Sequence, residues 1–561
     1  MVTIADIKQW KPEVLHEVAD LIRQRSQVLI HSGDDYNRLM PMASWSGPAA
    51  DAAHGTHKQL MTVLESLTVA VTGVGKGLAQ ASDAIPPLKD AIESAEELGR
   101  KYGFTVGDDG NLTDTFAGQD PPPEMHPEDR ARAHDQVVAD LQQVIRTAED
   151  IDNDLDSLFF RATAAEAIDF HQGTVASAAA QGLQEIGLTL PDPPANGTPA
   201  QNAAWWATLS GAGKSFYIQG NPERVGALDG LPGADRDTAN RAVLGRQQAD
   251  LRRQRDDLQH RLDGMKESDP RQMDEYHELE DQRDKIDGKL AELGKVKEVI
   301  DKPGGRQLLV LDGSGDHVKA AVASGNVDTA RNIATFTGGF GSTVQGDLND
   351  YDDQMDRIRR DASEMAWRSG KEEESAAVTW MGYDAPQSAD VVTTGKAEAG
   401  AGKLTPFLQG LDAARGDDPA RQIAIGHSYG STTTGLALRH ADVDAAIFAG
   451  SPGIDTHNLG DLHVPPGQSY VLKNHDDPVA KAGVFGGPPE TIEGMRRLST
   501  EHVVRSDGQE LDSSTGHSSV KEYLRPGTTS QHNISAVVAG IPDQRDFDTT
   551  STELPYTPGL K

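Results

Sequence analysis

The 561-residue chain is long enough for roughly three to four domains of about 150 residues each, and its 37% apolar content supports at least one large core. Its 53 basic and 87 acidic side chains give a net charge of −34, which argues against a protein that grips the phosphate backbone of nucleic acid. The absence of cysteine excludes disulfides, cysteine-ligated zinc, iron–sulfur clusters and a thiol nucleophile. Any nucleophile must therefore be an oxygen or a lysine.

The apolar runs of the sequence are all far shorter than the roughly 20 residues that span a bilayer, which predicts a soluble protein. The N-terminal sequence MVTIADIKQWKPEVLHEVADLIRQR lacks the order of basic, apolar and small residues that marks a secretory signal peptide. We therefore expect a cytoplasmic protein, or one exported by a route that needs no such signal.

The first two amphipathic segments predict a helical hairpin. One apolar stripe runs from about residue 4 to 30 and a second follows Pro48, each at the spacing of one helix face. The stripe residues are Ile7, Val14, Val18, Leu21 and Val28 in the first segment and Leu60, Val63, Leu64, Leu67, Val71, Val74 and Leu78 in the second. The turn Ser44-Trp45-Ser46-Gly47-Pro48 lies between them, and its glycine and proline end one helix and start the next.

Trp45-Ser46-Gly47 resembles the turn of the WxG helical-hairpin proteins that type VII secretion machinery exports. The resemblance implies export by that route, and a helical partner or self-association through the hairpin. A plain helical bundle explains the same three residues, and no tyrosine-plus-acid export signal follows the hairpin.

Helical stretches at about 84–101 and 127–187 complete an all-α domain that is predicted to span 1–190. The linker-like LPDPPANGTPAQ follows. The paired Trp205 and Trp206 then predict that the 191–236 segment is a linker whose tryptophans pack on the domain downstream.

Residues 237–302 are densely charged and carry two apolar stripes, one on each side of Asp269-Pro270. The proline favours two helices that fold back on each other over one long coil. We therefore predict a charged helical hairpin, for which a solvated surface role is the simplest interpretation.

Residues 303–540 alternate short apolar runs with amphipathic segments, which predicts βαβ units and a mostly parallel sheet buried on both faces. The candidate strands are QLLVLD, NIATFTGG, AAVTWMG, QIAIGHS, AAIFAGS and SYVLKN. The fold class is therefore α/β after an all-α front, and 541–561 is predicted to be a C-terminal tail.

Gly426-His427-Ser428-Tyr429-Gly430 is a G-x-S-x-G pentapeptide between a predicted strand and a predicted helix. That context is typical of a nucleophile elbow, in which a strained turn projects a serine hydroxyl above the edge of the sheet. Because a serine hydroxyl is a weak nucleophile, it needs a base and an acid, and in this fold both follow the serine along the chain.

The acid is predicted where the strand SYVLKN ends in His475-Asp476-Asp477-Pro478. We choose Asp477, just before the proline, and keep Asp476 as the alternative. Two loop aspartates that only cap the next element would look the same in the sequence.

Three later histidines are candidates for the base. His517 lies in the small-residue loop SSTGHSS, which can carry an imidazole to the site, and is our choice. His502 follows a charged stretch and has the pattern of a surface residue, and His532 begins the last predicted helix. His475 is too close to the acid to be preferred.

The oxyanion of an acyl-transfer reaction needs backbone N–H donors, one from the residue after the serine and one from an earlier strand-to-helix loop. Tyr429 supplies the first. The glycine-rich FTGGFGS loop is the candidate for the second, and we assign it to Gly339 and Phe340.

Taken in order, FTGGFGS, VTWMGYDAPQ, IAIGHSYGSTTTGLAL, FAGSPG, DDPV and GHSS resemble the actinobacterial α/β-hydrolases of unassigned function. The resemblance covers about 200–540 and implies Ser428, Asp477 and His517 as the triad. Two positions depart from the pattern: Val520 replaces an aromatic residue, and Thr337-Gly338-Gly339 replaces a proline-glycine start of the oxyanion loop.

The chain is accordingly predicted to be a serine hydrolase, an esterase or lipase-like enzyme that forms an acyl-enzyme from a small-molecule or lipid ester and needs no cofactor. The preference for esters comes from the resemblance. Gly213-Lys214-Ser215 mimics the end of a P-loop, but Thr208 occupies the position of its first glycine. The histidine spacing suggests no metal site. The alternative is a non-enzymatic secreted effector or interaction protein on a hydrolase scaffold.

Overall fold

The computed structural model describes residues 2–39, 45–123, 125–163, 174–185, 187–265, 272–505, 508–541 and 545. Ser44 of the predicted turn, Asp269-Pro270 and most of the predicted tail 541–561 lie outside these ranges. The chain divides into two compact units, Met1–Ser215 and Phe216–Lys561.

The first unit is built mainly from helices. They are α1 (Ile4–Gln9), α2 (Pro12–Leu39), α3 (Pro48–Lys101), α4 (Pro127–Thr163), α5 (Val175–Glu185) and α6 (Pro199–Ala207), with the short strands β1 (Phe104–Val106) and β2 (Leu112–Asp114) after α3. The long helix α3 packs against α2, α4 and α5. Its buried Leu88 and Ile92 share a core with Val137 and Leu141 of α4.

The buried face of α2 differs from the stripe that the sequence predicts. Val14, Val18, Leu21 and Val28 are exposed, as are Leu60, Val63 and Leu67 of α3. The buried positions of α2 are instead Ala19, Ser26 and Gly33, seven residues apart. Close approach explains the difference, because a Cβ on Gly33 would lie 2.3 Å from Val175 of α5. Small residues let helices approach where larger ones would hold them apart.

The stretch at 84–101 is the continuation of α3 and not a separate helix, although Pro86 and Pro87 lie within it. Each proline removes one helical hydrogen bond. Ile85 and Leu88 on either side are buried, and their packing favours the continuous helix.

Trp205 and Trp206 are fully buried in the first unit, on α6, which packs against α4. The Trp205 indole N–H donates to the Pro191 carbonyl at 2.8 Å. The unit thus extends to Ser215, whereas the sequence places the end of the helical domain at 190.

The second unit alternates strands and helices after a helical start. Its helices are α7 (Gly211–Gly220), which begins in the first unit, α8 (Pro222–Ala227), α9 (Gly233–Asp263), α10 (Met273–Ile300), α11 (Val344–Arg368), α12 (Gly395–Ala413), α13 (Tyr429–Ala437), α14 (Pro478–Ala482) and α15 (Thr529–Val538). Its strands are β3 (Arg306–Asp312), β4 (Lys319–Ser324), β5 (Asn332–Thr337), β6 (Ser375–Met381), β7 (Arg421–His427), β8 (Ala445–Ala449), β9 (Ser469–Leu472), β10 (Arg496–Leu498), β11 (Val503–Val504) and β12 (Glu510–Leu511).

Within the described residues, eight of these strands form one sheet in the order β10-β9-β8-β7-β5-β6-β4-β3. The pairs are parallel except where β4 meets β6 and β3. Residues of α11 and α15 share a core with one face, and residues of α12 share a core with the other. The predicted fold class, a helical front followed by a mostly parallel α/β core, is confirmed, with the short strands β1 and β2 as an addition to the front. Strands β4 and β10 are absent from the sequence prediction.

The charged segment forms α9 and α10, which pack on each other. Leu258, Leu262 and Leu279 are buried between them, while Leu293 and Val296 join the main core. Every helix in the described ranges is too short or too polar to cross a membrane.

Candidate active site

The Gly426–Gly430 pentapeptide forms a sharp turn between β7 and α13. Ser428 lies at its apex with φ 55° and ψ −132°, a conformation that costs a non-glycine residue about 1–3 kcal/mol. The Ser428 N–H donates to the Ala449 carbonyl at 3.0 Å. A Cβ on Gly430 would lie 2.3 Å from the Thr337 carbonyl oxygen, so only glycine fits there. The turn therefore holds the serine at the carboxyl edge of the sheet, between β5 and β8.

The structure brings Ser428, His517 and Asp477 together in one hydrogen-bonded line. His517 Nε2 lies 2.8 Å from Ser428 Oγ, and His517 Nδ1 lies 2.9 Å and 2.8 Å from the two Asp477 oxygens. Because a carboxylate only accepts, Nδ1 carries the proton and Nε2 is free to accept the serine proton.

Asp477 is fully buried and each of its oxygens has a further donor. It caps α14 by accepting from the amides of Val479 and Ala480 at 2.9 Å and 3.0 Å, and it accepts from the Tyr523 hydroxyl at 2.7 Å. Burial alone would raise the pKa of Asp477, but the hydrogen bonds from His517, Ala480 and Tyr523 outweigh it and lower the pKa. The carboxylate is therefore ionised at neutral pH.

Tyr523 lies at the end of a short π-helix, Ser519–Tyr523, that follows His517. Its hydroxyl donates to Asp477 and accepts from the Asn474 amide at 2.9 Å. Burial raises the pKa of Tyr523 far above its usual value, so the hydroxyl keeps the proton that it donates.

His427, beside the serine, fixes the loop that carries the base. Its Nε2 donates to the His517 carbonyl at 2.8 Å, and the two imidazole centroids are 5.0 Å apart. Burial, and then the neighbouring His517, lower the pKa of His427 to about 3. His427 is therefore neutral at physiological pH and adds no charge next to the nucleophile.

Gly450 follows β8 and leaves room for Asp477 and His517. Its φ is +57°, and a Cβ there would lie 2.9 Å from Asp477 Oδ2, 2.9 Å from Tyr523 Cε2 and 3.2 Å from His517 Nδ1. Any larger residue would push the three groups apart.

Gly339 and Phe340, at the end of β5, lie beside the elbow. A Cβ on Gly339 would be 2.7 Å from Ser428 Cβ and 2.9 Å from the Tyr429 nitrogen. The loop backbone therefore lies close to Ser428, and a side chain at position 339 would collide with the elbow.

Two hydrogen bonds orient the peptides of this loop. The Tyr383 hydroxyl donates to the Gly338 carbonyl at 2.8 Å, and the Ser342 amide donates to the Gly339 carbonyl at 3.2 Å. In a trans peptide the N–H points opposite to the carbonyl, so the Gly339 and Phe340 N–H groups point away from these two partners.

The other candidates from the sequence are not hydrogen-bonded to Ser428, His517 or Asp477 through their described side chains. The side chains of His475 and Asp476 are 80% and 72% exposed. His502 is half exposed and lies 2.9 Å from Glu510. His532 is buried within α15.

The residues that the sequence analysis missed are Tyr523, His427, Gly450 and Tyr383. His427 could have been found as an imidazole directly before the serine of the pentapeptide. Gly450 could have been found from its place directly after a buried strand, in Ala449-Gly450-Ser451-Pro452. Neither tyrosine has a sequence signal, since each is defined by a partner more than 40 residues away.

Among the described residues, no group of histidine and acidic side chains has the arrangement of a metal site. Gly213-Lys214-Ser215 lies inside α7 and not in a loop before a helix, as a P-loop would require.

Comparison with known proteins matches residues 312–486 to an α/β-hydrolase family model. The chain is 34% identical over 221 residues to uncharacterized protein Rv0963c of Mycobacterium tuberculosis and to uncharacterized protein Mb0988c of Mycobacterium bovis, covering 38% of this chain and 83% of each relative. It is also 28% identical over 310 residues to uncharacterized protein Rv2079 of Mycobacterium tuberculosis, covering 52% of this chain and 45% of that relative.

The strand order of the sheet and the turn at Ser428 are consistent with the α/β-hydrolase model that matches residues 312–486. The chain therefore belongs to one family with the uncharacterized mycobacterial proteins Rv0963c and Mb0988c, and it contains an α/β-hydrolase domain at residues 312–486.

Proposed function

We propose that this protein is a serine hydrolase that cleaves esters through an acyl-enzyme. The observation that carries the proposal is the unbroken hydrogen-bonded line from Ser428 through His517 to Asp477 at the carboxyl edge of the sheet. Within the α/β-hydrolase family, a buried acid, an oriented imidazole and a strained serine in this order are suited to nucleophilic acyl transfer.

In the first half of the reaction, Ser428 Oγ forms a bond to the ester carbonyl carbon while its proton passes to His517 Nε2. The carbonyl oxygen becomes an oxyanion, for which the amides of Tyr429 and of the Gly339–Phe340 segment are the proposed donors. The intermediate then breaks its bond to the alcohol oxygen, which takes the proton from His517 Nε2 and leaves.

In the second half, a water molecule gives a proton to His517 Nε2 as its oxygen attacks the acyl carbon. Collapse of that intermediate breaks the bond to Ser428 Oγ, which recovers the proton, and the acid is released. Asp477 remains ionised throughout and stabilises the imidazolium that forms in each half. Its low pKa, held by His517, Ala480 and Tyr523, suits this role.

An activity-based probe tests the proposal. A fluorophosphonate should label the wild type, lose labelling in Ser428→Ala, and still label Ser314→Ala, a serine in the loop after β3. His517→Ala should retain the circular dichroism spectrum and lose hydrolysis of p-nitrophenyl acetate by at least about a thousandfold. A folded wild type that is never labelled would overturn the proposal.

We also propose a second function, in the helical front. The Trp45 side chain is 42% exposed, and several large apolar residues of α2 and of the first part of α3 face solvent, which supports a helical partner, self-association or export by a type VII-like route. They are Val14, Val18, Leu21, Val28, Leu60, Val63 and Leu67. The hydrolase core would then be a scaffold or a passenger. An export assay in which Trp45→Ala reaches the medium at the wild-type level would refute the secretion role, while Phe216→Ala, exposed on α7, is the matched control.

A further inference from the structure

We infer that the ester has an apolar acyl arm of several carbons, and that Phe340, Val392 and Val484, here called the apolar rim, receive it. The inference rests on the proposed hydrolase function and narrows its substrate class. The apolar rim then binds one dissolved ester molecule at a time.

The rim residues are large apolar side chains left in solvent, 51%, 68% and 58% exposed in chain order. They lie on the loops that follow β5, β6 and β9. Because these strands are parallel, the three loops emerge at the carboxyl edge of the sheet, the same edge at which β7 ends before Ser428.

Phe340 directly follows Gly339, whose backbone lies so close to the elbow that a Cβ there would be 2.7 Å from Ser428 Cβ. Two hydrogen bonds connect its loop to the loop after β6. The Gly341 amide donates to the Pro386 carbonyl at 2.9 Å, and the Gln387 side chain donates to the Ser342 carbonyl at 3.2 Å. The loop after β6 is thereby held next to the candidate oxyanion hole.

Val392 lies further along that second loop, between two residues that contact Tyr429. Val391 packs in the apolar cluster of Tyr429, and the Tyr429 hydroxyl donates to the Thr393 carbonyl at 2.6 Å. The Ala397 amide donates to the same hydroxyl at 3.1 Å. Because Tyr429 directly follows Ser428, the position of Val392 is fixed relative to the nucleophile.

Val484 directly precedes a residue that packs against the same tyrosine. The ring of Phe485, its neighbour, meets the Tyr429 ring edge-on at 5.6 Å. Phe485 also exchanges hydrogen bonds with the loop after β8, to Pro452 at 3.0 Å and from Asp455 at 3.1 Å. The three rim residues thus belong to loops tied to one elbow.

Single exposed apolar residues are common, but three on connected loops around one nucleophile have a consequence for the substrate. Each methylene of an acyl chain that leaves water for contact with the rim is expected to raise kcat/KM by up to about fourfold. A polar or very short acyl group would gain nothing from these contacts. The rim therefore selects by chain length.

The test uses the full chain and the p-nitrophenyl esters of acetate, butyrate and octanoate, each below its critical micelle concentration. For the wild type, kcat/KM should rise with chain length, by at least tenfold from acetate to octanoate after correction for intrinsic reactivity. In Val392→Ser/Val484→Ser the ratio of octanoate to acetate should fall by at least fivefold.

Trp367→Ser is the matched control, because Trp367 is 71% exposed near the end of α11, which leads to the amino end of β6. Its ratio should equal that of the wild type. Fluorophosphonate labelling of every variant reports that the site is folded.

Suppose that the wild type is labelled and cleaves the acetate ester. If its kcat/KM does not rise with chain length, or if the octanoate-to-acetate ratio is the same in the double variant, the apolar rim is wrong and the hydrolase proposal is unaffected. Absence of labelling in a folded wild type overturns the hydrolase proposal itself. If the double variant loses labelling, Val392→Thr and Val484→Thr, which keep the side-chain shape, provide the same comparison.

Discussion

The helical pair α2–α3 and the corner around Ser428 bury their residues in opposite ways. In the pair, the large apolar side chains Val18 and Leu21 face solvent, and small residues such as Ala19 are buried. At the corner, Asp477 and Asn474 are completely buried, and each is hydrogen-bonded. One region is shaped by how closely backbones approach, and the other by which polar atoms must meet.

The difference teaches where sequence patterns determine geometry. A period of large apolar residues identifies a helix, but the face that packs depends on what the neighbouring helix allows. A hydroxyl, an imidazole and a carboxylate can act together only at hydrogen-bond distance. Once their positions along the chain are known, the loops that carry them are therefore expected to lie next to one another. The following changes test each side of this contrast.

The largest effect is expected at the acid. Asp477→Asn should lower kcat about ten-thousandfold, because the amide favours the wrong imidazole tautomer and cannot stabilise the imidazolium. Steady-state ester hydrolysis, followed over long times for the slow variant, measures this loss of kcat. Asp476→Asn, next to it and exposed, should stay within about twofold; equal losses in the two variants would contradict the assignment.

The next effect is expected where the loop backbone touches the serine. Gly339→Ala should lower kcat about a hundredfold to a thousandfold, because its Cβ would displace the loop amides from the oxyanion. The measurement is kcat with p-nitrophenyl acetate. Gly402→Ala, a helical glycine with nothing within 4 Å of its Cβ, should leave kcat unchanged.

The helical side of the comparison can be tested by overpacking. Ala19→Leu places a large side chain where α2 packs closely against Val74 and Leu78, and should lower the free energy of unfolding of the first unit by up to about 3 kcal/mol. Val18→Leu, one position away and exposed, should change it by less than about 0.5 kcal/mol. Chemical denaturation followed by helical circular dichroism distinguishes them, and equal effects would mean that the face is misassigned.

A pH dependence of stability is expected from His427. Its folded pKa of about 3 lies below the unfolded value, so the native state excludes a proton that the unfolded chain binds. The stability is fully present above about pH 6.5 and is lost as pH falls towards 3, by about 2 kcal/mol between pH 7 and pH 5.

This loss should shrink in His427→Gln and persist in His463→Gln, whose side chain is 43% exposed. Denaturation curves at the two pH values provide the measurement. A loss of the same size in His427→Gln would assign the pH dependence to other groups.

The smallest effect is expected at Tyr523, which acts through Asp477 and is a positioning residue. Tyr523→Phe should lower kcat/KM about tenfold, since one charge-assisted hydrogen bond to the carboxylate is lost. Without that donor the carboxylate is more basic and favours the imidazolium more strongly, so the acid limb of the pH profile should move to higher pH. Tyr276→Phe on α10 is the control, and a rate loss without a shift of the acid limb would indicate a structural role only.

The sequence predicts the fold and the proximity of the candidate triad well, because glycine, serine, histidine and aspartate have narrow steric and hydrogen-bonding requirements. It fails at β4, whose small residues lack the bulk of the other strands, and at β10, whose Arg496-Arg497-Leu498 is short and charged. It also fails at Tyr523, since nothing near that tyrosine indicates a partner at Asp477. Where the determining contact is distant in the chain, local patterns carry no information about it.

Gly450 has a consequence for protein engineering. The spacing between Asp477 and His517 depends on β8, a strand that carries none of the three candidate triad residues, since any side chain at the end of β8 would occupy the space beside Asp477 and His517. A designer who transplants Ser428, His517 and Asp477 into another sheet must therefore also copy the backbone of β8 and its terminal glycine. What must be transferred is the backbone at the ends of β7, β8 and β9, in addition to the three side chains.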